Sequence, residues 1–342
     1  MVVVPRSLFT IDLAAVRHNA SRLREALGQA ELWAVVKADG YGHGAADVAR
    51  AAVDAGATAL CVATAGEAMA LRPAVPGVRV IVLGPTSPAD LGVARQAGLE
   101  LVVSRLPVPE GVSVHLKLDT GMGRWGLAEL PAPGRSVVGL MSHFACADTD
   151  PPFTALQTTR FHEATAEHAH LQRHLANSAG ALRYPDARFD AARCGIALYG
   201  ISPFGGDPAR EGLRPALRWE SEIAEVRRLP PGDSTGYGRR FVATKETWIG
   251  LVPVGYADGF RRDLTGTEVL VGGTRSPIVG AVSMDSVAVS LDRAVPVGEP
   301  VTLVGDGVTL DDHARVAGTI GYELACGLVT RGPRAERGVV GG

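Results

Sequence analysis

A chain of 342 residues is long enough for about two domains. With 46% hydrophobic and 20% charged residues it can build a sizeable core, which excludes wholesale disorder, and its net charge of -2 offers no basic stripe for nucleic acid. The four cysteines (Cys61, Cys146, Cys194, Cys326) form no C-x-x-C pair and no zinc spacing, so they read as free thiols in a reducing cytoplasm.

The opening segment "MVVVPRSLFTIDLAAVRHN" lacks the basic flank, apolar core and cleavage site of a secretory leader, and no later run reaches the roughly 18 apolar residues of a membrane span. The expectation is a cytoplasmic protein with no membrane and no nucleic-acid partner. The sequon at Asn19 reads as a chance match on a helix. From Asp12, a plausible N-cap, Leu13, Val16, Ala20, Leu23 and Leu27 recur at helical spacing. Eight short apolar runs follow: "LWAVVK", "ALCVA", "RVIVLG", "LELVVS", "VHLKLD", "VVGLMSHF", "HLAN" and "FDAARCG". Helix-like segments at 45–56, 65–72, 87–98 and 152–170 stand between several of them. Eight βα units in about two hundred residues are what a (β/α)8 TIM barrel requires, and unbroken apolar runs suit strands covered on both faces. Two links are short and each holds two prolines (Pro107 and Pro109; Pro131 and Pro133), so the fourth and fifth outer helices are expected to be shortened to loops. After 217 the runs alternate and break at Gly and Pro, the texture of antiparallel β, with one helix near 310–328. The predicted domains are a barrel over 8–215 and a mainly antiparallel β domain over 216–342 that also takes residues 1–7.

Chemistry in a barrel gathers at the C-terminal ends of its strands. "AVVKADGYGHG" brings Lys37 to the end of a strand that reads as buried, where a lysine is costly unless paired or neutral. Such an amine is a candidate nucleophile or imine former. The other strand ends supply Lys117, Asp119 and Arg124, then His143 and Asp148, then Asn177 and Ser178, and last Arg193, Gly195 and Ile196. There is no carboxylate pair for glycoside chemistry and no His/Asp cluster for a metal. An imine-forming lysine beside Ser/Gly backbone N–H groups able to hold a phosphate suggests pyridoxal 5'-phosphate (PLP).

"AVVKADGYGHG", "KLDTGMGRWG", "SHFACAD", "ANSAG", "RCGIALYG", "GYGRRF", "VGYADG" and "VSMD", in this order over nearly the whole chain, resemble the alanine racemases, PLP enzymes with an N-terminal barrel and a C-terminal β domain. The resemblance implies interconversion of L- and D-alanine, supplying D-alanine for peptidoglycan. Lys37 would carry PLP as an imine and act as base on one face of Cα. Tyr237, from the partner subunit of a homodimer, would be the acid/base on the other. His143 would stand between Tyr237 and Arg193, and Arg193 would face the pyridine nitrogen. Tyr41, Ser178, Gly195, Ile196 and Tyr322 would hold the phosphate, with Asn177 in the same cofactor set. Arg124 and the backbone at Met284 would receive the substrate carboxylate, Lys117 matches a lysine often carbamylated in the family, and Asp148 and Tyr256 would line the approach channel.

Racemisation needs proton removal from one face and delivery to the other, so two acid/bases are the minimum. A phenol with a pKa of about 10 needs neighbouring positive charge to serve as a base at neutral pH. A guanidinium cannot hand over a proton, so at the ring nitrogen it would weaken the electron sink and suppress transamination. The family pattern breaks at Ala281, where an arginine is common. Three alternatives stand beside this reading: a racemase of other or broader range such as serine, a non-catalytic PLP carrier on the same barrel, and a barrel decarboxylase, against which Arg193 argues.

Overall fold

The computed structural model describes residues 6–342. Its first strand, β1 (Leu8–Asp12), runs straight into the helix Leu13–Leu27, whose stripe of Val16, Ala20, Leu23 and Leu27 is buried. Eight parallel strands then close a barrel: β2 (Glu31–Val35), β3 (Ala59–Val62), β4 (Arg79–Val82), β5 (Glu100–Val103), β6 (Val114–Lys117), β7 (Val137–Met141), β8 (Gln172–His174) and β9 (Ala191–Cys194), which pairs back on β2. The helices Ala45–Asp54, Ala65–Leu71, Pro88–Ala97, Pro151–Thr165 and Ser178–Arg183 occupy the crossovers. Thr64 with Glu67, and Ser87 with Asp90, start two of them as reciprocal capping boxes. The proline-bearing links between β5 and β6 and between β6 and β7 contain no helix.

Both faces of these strands are covered, but the inner face is not apolar. Arg79 on β4 reaches Gln172 on β8 at 2.9 Å, and Trp33 on β2 lies 4.5 Å from His174 on β8, so these side chains point across the barrel. With the period of two, the inward set includes Glu31, Arg79, Glu100, His115, Lys117, His174 and Arg193. The runs that read as apolar therefore carry charged and polar side chains on their inner face, interspersed with apolar ones such as Trp33, Ile81 and Val102.

The second unit holds the described residues through Leu13 together with Pro215–Gly342, while the first is Ala14–Arg214. Residues 8–13, expected in the barrel domain, therefore belong elsewhere. The physical reason is the alternation in "LFTID": Phe9 and Ile11 are fully buried and Phe9 stacks on Trp219 with ring centres 5.0 Å apart. Ser7 joins this core, its Oγ accepting from Trp219 Nε1 at 2.6 Å. Residues 1–5, assigned to the same domain on sequence, lie outside the described residues.

The remaining strands are β10 (Leu217–Glu222), β11 (Glu225–Leu229), β12 (Ser234–Thr235), β13 (Phe241–Val242), β14 (Thr247–Val252), β15 (Glu268–Val271), β16 (Thr274–Val279), β17 (Val287–Leu291), β18 (Pro300–Val304) and β19 (Glu336–Val340). Nine of the second unit's strands form one sheet in the order β11-β14-β17-β16-β15-β18-β10-β1-β19, antiparallel except for β1 with β19. β12 and β13 make a separate two-stranded ribbon. The single helix expected near 310–328 is two, Leu310–Ala317 and Gly321–Gly327. Gly318 takes a left-handed φ of 65° and ends the first, as a C-terminal glycine does.

Phe9→Ala empties a buried aromatic position in the second unit's core. The expected cost is about 3–5 kcal/mol, read as a lower denaturant midpoint for the transition that reports Trp219 fluorescence.

Candidate active site

The chain after β2 is held in an unusual shape. Val36 leads to Lys37, and the next four residues all have left-handed φ: 53° at Ala38, 51° at Asp39, 63° at Gly40 and 51° at Tyr41. Non-glycine residues there cost of order 1–3 kcal/mol each and persist only where surroundings over-determine them. Here they do. Glu67 Oε1 accepts from the Ala38 amide at 2.8 Å, while its Oε2 accepts from Ala63 at 2.6 Å and Thr64 at 3.2 Å. Asp39 Oδ1 accepts from Ala45 N at 2.9 Å, and Tyr199 Oη donates to Val35 O at 2.9 Å. Lys37 is thus delivered, half-buried, from a fixed turn.

That turn folds Tyr41 back over Tyr199, with ring centres 4.9 Å apart. A Cβ on Gly195 would come within 2.5 Å of Tyr41 Oη, so only glycine permits this approach. Ser178 Oγ accepts from Gly195 N at 3.1 Å and Ala197 N at 3.4 Å. Tyr41, Ser178, Gly195 and the start of Ile196–Tyr199 therefore meet at one place: two hydroxyls and backbone amides around a glycine. This donor set suits a phosphate. Asn177 is a neighbour with a structural task, since its Oδ1 caps the helix Ser178–Arg183 by accepting from Gly180 N at 2.9 Å.

Arg193 sits between this cradle and the barrel interior, 3% exposed. The two hydrogens of its Nη2 serve three acceptors, Ser142 O at 2.8 Å, Leu175 O at 3.1 Å and His143 Nδ1 at 3.1 Å, so one of them is shared. Nη1 donates to His174 Nδ1 at 2.7 Å and His174 O at 2.9 Å. Burial lowers its pKa to about 10, which still leaves it charged at neutral pH. His143 is pushed well below the ordinary histidine value, by burial first and the Arg193 charge second. It is a neutral ring with an acceptor at Nδ1, and so carries its proton on Nε2.

Lys117, the last residue of β6, is 5% exposed. Burial, then Arg124 and Arg193, bring its pKa down to about 8. Lys117 Nζ and the Arg124 guanidinium both face the Trp125 ring, at 5.9 and 5.3 Å from its centre. Arg124 is exposed on a loop that Asp119 organises, its carboxylate accepting from the amides of Gly121, Met122 and Gly123. Asp148 is exposed on the loop ahead of Pro151–Thr165, where its carbonyl accepts from Arg183 at 3.2 Å.

The other expected residues belong to the second unit. Tyr237, 74% exposed, stands on the turn between β12 and β13. Tyr256 and Met284 come together: Tyr256 N donates to Ser283 O at 3.0 Å and Ala257 N to Met284 O at 3.1 Å. Arg334 ties these two loops, bonding buried Asp258 at 2.8 and 3.0 Å and Asp285 at 2.9 Å. Tyr322 is half-buried on Gly321–Gly327. Ala281, at the position where an arginine is common, is buried.

Residues 11–203 match the family described as alanine racemase, N-terminal domain, and residues 216–336 match alanine racemase, C-terminal domain. The chain belongs to the alanine racemase family. An alanine racemase of Streptomyces coelicolor is 43% identical over 97% of this chain and 96% of its own length. The solved alanine racemase from D-cycloserine producing Streptomyces lavendulae superposes with a TM-score of 0.90 at 34% identity, covering 100% of this chain and 98% of that one. One from Bacillus anthracis, solved with bound L-Ala-P, gives a TM-score of 0.86 at 33% identity, covering 100% of this chain and 97% of that one.

Sequence reasoning about this alanine racemase family member missed Glu67, His174 and Tyr199. Glu67 had a visible signal, the Thr64–Glu67 capping box, but nothing local reveals its bond to the amide after Lys37. Glu67→Ala orphans three amides and should cost about 1–3 kcal/mol, seen as a lower melting temperature of the cofactor-free protein. Only three lysines occur in the sequence (Lys37, Lys117, Lys245). Amine labelling followed by peptide mass spectrometry should therefore show Lys117 reaching half its maximal rate near pH 8.

Proposed function

We propose that this protein is a PLP-dependent alanine racemase, acting as a cytoplasmic homodimer that supplies D-alanine for peptidoglycan. The observation that carries the reading is the convergence of the strained Lys37 turn with the Tyr41–Ser178–Gly195 cradle, in a chain whose halves both match the family. No helix among the described residues is long and apolar enough to cross a membrane.

Lys37 would hold PLP, and Tyr41, Ser178, Gly195, Ile196 and Tyr322 its phosphate, with Arg193 at the ring nitrogen. When bound, the cofactor supplies an electron-withdrawing ring that acidifies the substrate Cα–H. The remaining work falls to the chain itself. Arg124 and the Met284 backbone hold the alanine carboxylate. Lys37 Nζ works on one face of Cα and Tyr237 of the partner subunit on the other, one taking the α-proton and the other returning a proton. The reverse reaction exchanges their roles. His143, neutral and protonated on Nε2, has a donor to offer the Tyr237 oxygen while Arg193 holds its other nitrogen. Asp148 and Tyr256 flank the approach.

Starting from the Lys117 ammonium, loss of one proton gives the free amine, and its attack on carbon dioxide forms a carbamate and releases a second proton. That change replaces a cation repelled by Arg124 with an anion that attracts it.

Purified protein with PLP should convert L-alanine to D-alanine, followed by chiral chromatography, and prefer alanine to serine. Bound PLP with neither substrate racemised would favour the carrier reading. Lys37→Ala and Tyr237→Phe should each be inactive alone. Refolded together as a 1:1 mixture they should recover about a quarter of the wild-type activity, because half the dimers then carry one intact site. No recovery would contradict a site shared between subunits.

A further inference from the structure

Arg193 also donates away from the site, into the barrel. A guanidinium has no acceptor, so His174 Nδ1, 2.7 Å from Nη1, must accept, and the His174 proton lies on Nε2. That nitrogen is 2.9 Å from His115 Nδ1, which must accept in turn. The His115 proton is then on Nε2, 2.8 Å from Glu100 Oε2. An ionised carboxylate only accepts. Both ends therefore dictate one direction, Arg193 to His174 to His115 to Glu100, with both rings neutral and both in the same tautomer.

The barrel is built around this chain. Arg79 fixes Glu100 through two bonds of 2.9 Å, bonds Gln172 at 2.9 Å and lies 3.6 Å from Glu31. Glu31, Arg79 and Glu100 begin their strands while His174 ends one and Arg193 is one residue short of the end of another, so the chain runs from the N-terminal to the C-terminal mouth. Any Cβ on Gly139 would overlap the His115 ring. Trp33 packs 5.7 Å from His115 and 4.5 Å from His174, and its Nε1 donates to Glu31 at 2.7 Å.

We infer that His174 and His115 are positioning residues for Arg193, a one-way hydrogen-bond chain anchored on Glu100 that holds the guanidinium in a single pose at the site.

The surrounding charges agree. Burial and then Arg193 push His174 well below the ordinary histidine value, and burial also lowers His115 despite its bond to Glu100. Burial raises Glu100, but the bonds from His115 and Arg79 outweigh it and hold the acid at about 2. The other titratable groups near the chain are Cys61 and Cys194, whose thiols burial pushes up to about 12, with Glu31 beside Arg79 and Lys117 beyond Arg193. The two thiols keep their protons near neutrality.

Nitrogen-15 NMR of histidine rings, in the protein with and without PLP, tests this directly. From about pH 5.5 to 8.5 the ring signals of His174 and His115 should stay neutral with the proton on Nε2, whereas free histidine titrates near 6.5. They are assigned by their loss in His174→Asn and His115→Asn. Titration of either ring, or a proton on Nδ1, overturns the inference. The consequence for activity rests on the proposed role of Arg193. His174→Leu and Glu100→Leu should each lower kcat by about 10–100-fold, the size of loss seen when the hydrogen-bond partner that orients a metal ligand is removed. His174→Asn and Glu100→Gln keep an acceptor where it is needed and should recover most of it. Leucine variants as fast as wild type would also overturn it. If the wild type fails to racemise alanine, the proposed function falls, and the ring tautomers still decide the chain.

Discussion

One full positive charge, buried inside the barrel with no carboxylate touching it, is the constraint on which the rest of the site depends. Arg193 meets this condition with three strand-end carbonyls and two imidazole nitrogens. An unsatisfied buried guanidinium would be prohibitively costly, so β7, β8 and β9 must hold their register for Ser142, His174 and Leu175 to present those oxygens. The same charge sets the protonation of its neighbours. It helps keep His143 and His174 neutral and joins burial and Arg124 in bringing Lys117 down to about 8. A neutral His143 beside a fixed cation, and an amine poised near neutrality beside Arg124, are consequences of one buried group.

The cradle side of the site rests on backbone strain instead of charge. Four consecutive left-handed residues would unwind if free, and Glu67, Asp39 and Tyr199 prevent it by occupying the amides and carbonyl on either side of Lys37. Strain at one strand end thereby fixes the direction of Lys37 and the closeness of Tyr41 to Gly195. Fixed strand ends and helix starts hold Lys37, Ser178, Arg193 and Gly195, whereas Arg124 and Tyr237 stand on exposed loops. Arg124's loop has its own internal clamp in Asp119.

Much of this was legible in the sequence because barrel chemistry collects at strand ends, where punctuation by Gly and Pro makes motifs stand out. Lys37, His143, Ser178, Arg193 and Gly195 are all read that way. The eight strands were legible from their runs and the missing helices from their prolines. What escaped was the barrel interior. His115 in "VHLKLD" and His174 in "HLAN" look like breaks in apolar strands, because their partners lie 59 residues apart and a sequence window cannot join them. Gly139 likewise passes for ordinary until the His115 ring is seen filling its side-chain space. β1 pairs in the second unit's sheet, and although "LFTID" alternates like a half-buried strand, nothing local says that its partners are β10 and β19.

The account stands on two groups working opposite faces of one carbon, and isotope exchange reads that most directly. The protein is incubated with PLP and L-alanine in D2O, and both α-deuterium and stereochemistry are followed from the first turnovers. The account predicts that D-alanine appears with deuterium at Cα, because the proton delivered to the second face comes from a group that exchanges with solvent. Deuterium entering L-alanine with no D-alanine formed would contradict it, leaving one working acid/base with no partner on the other face.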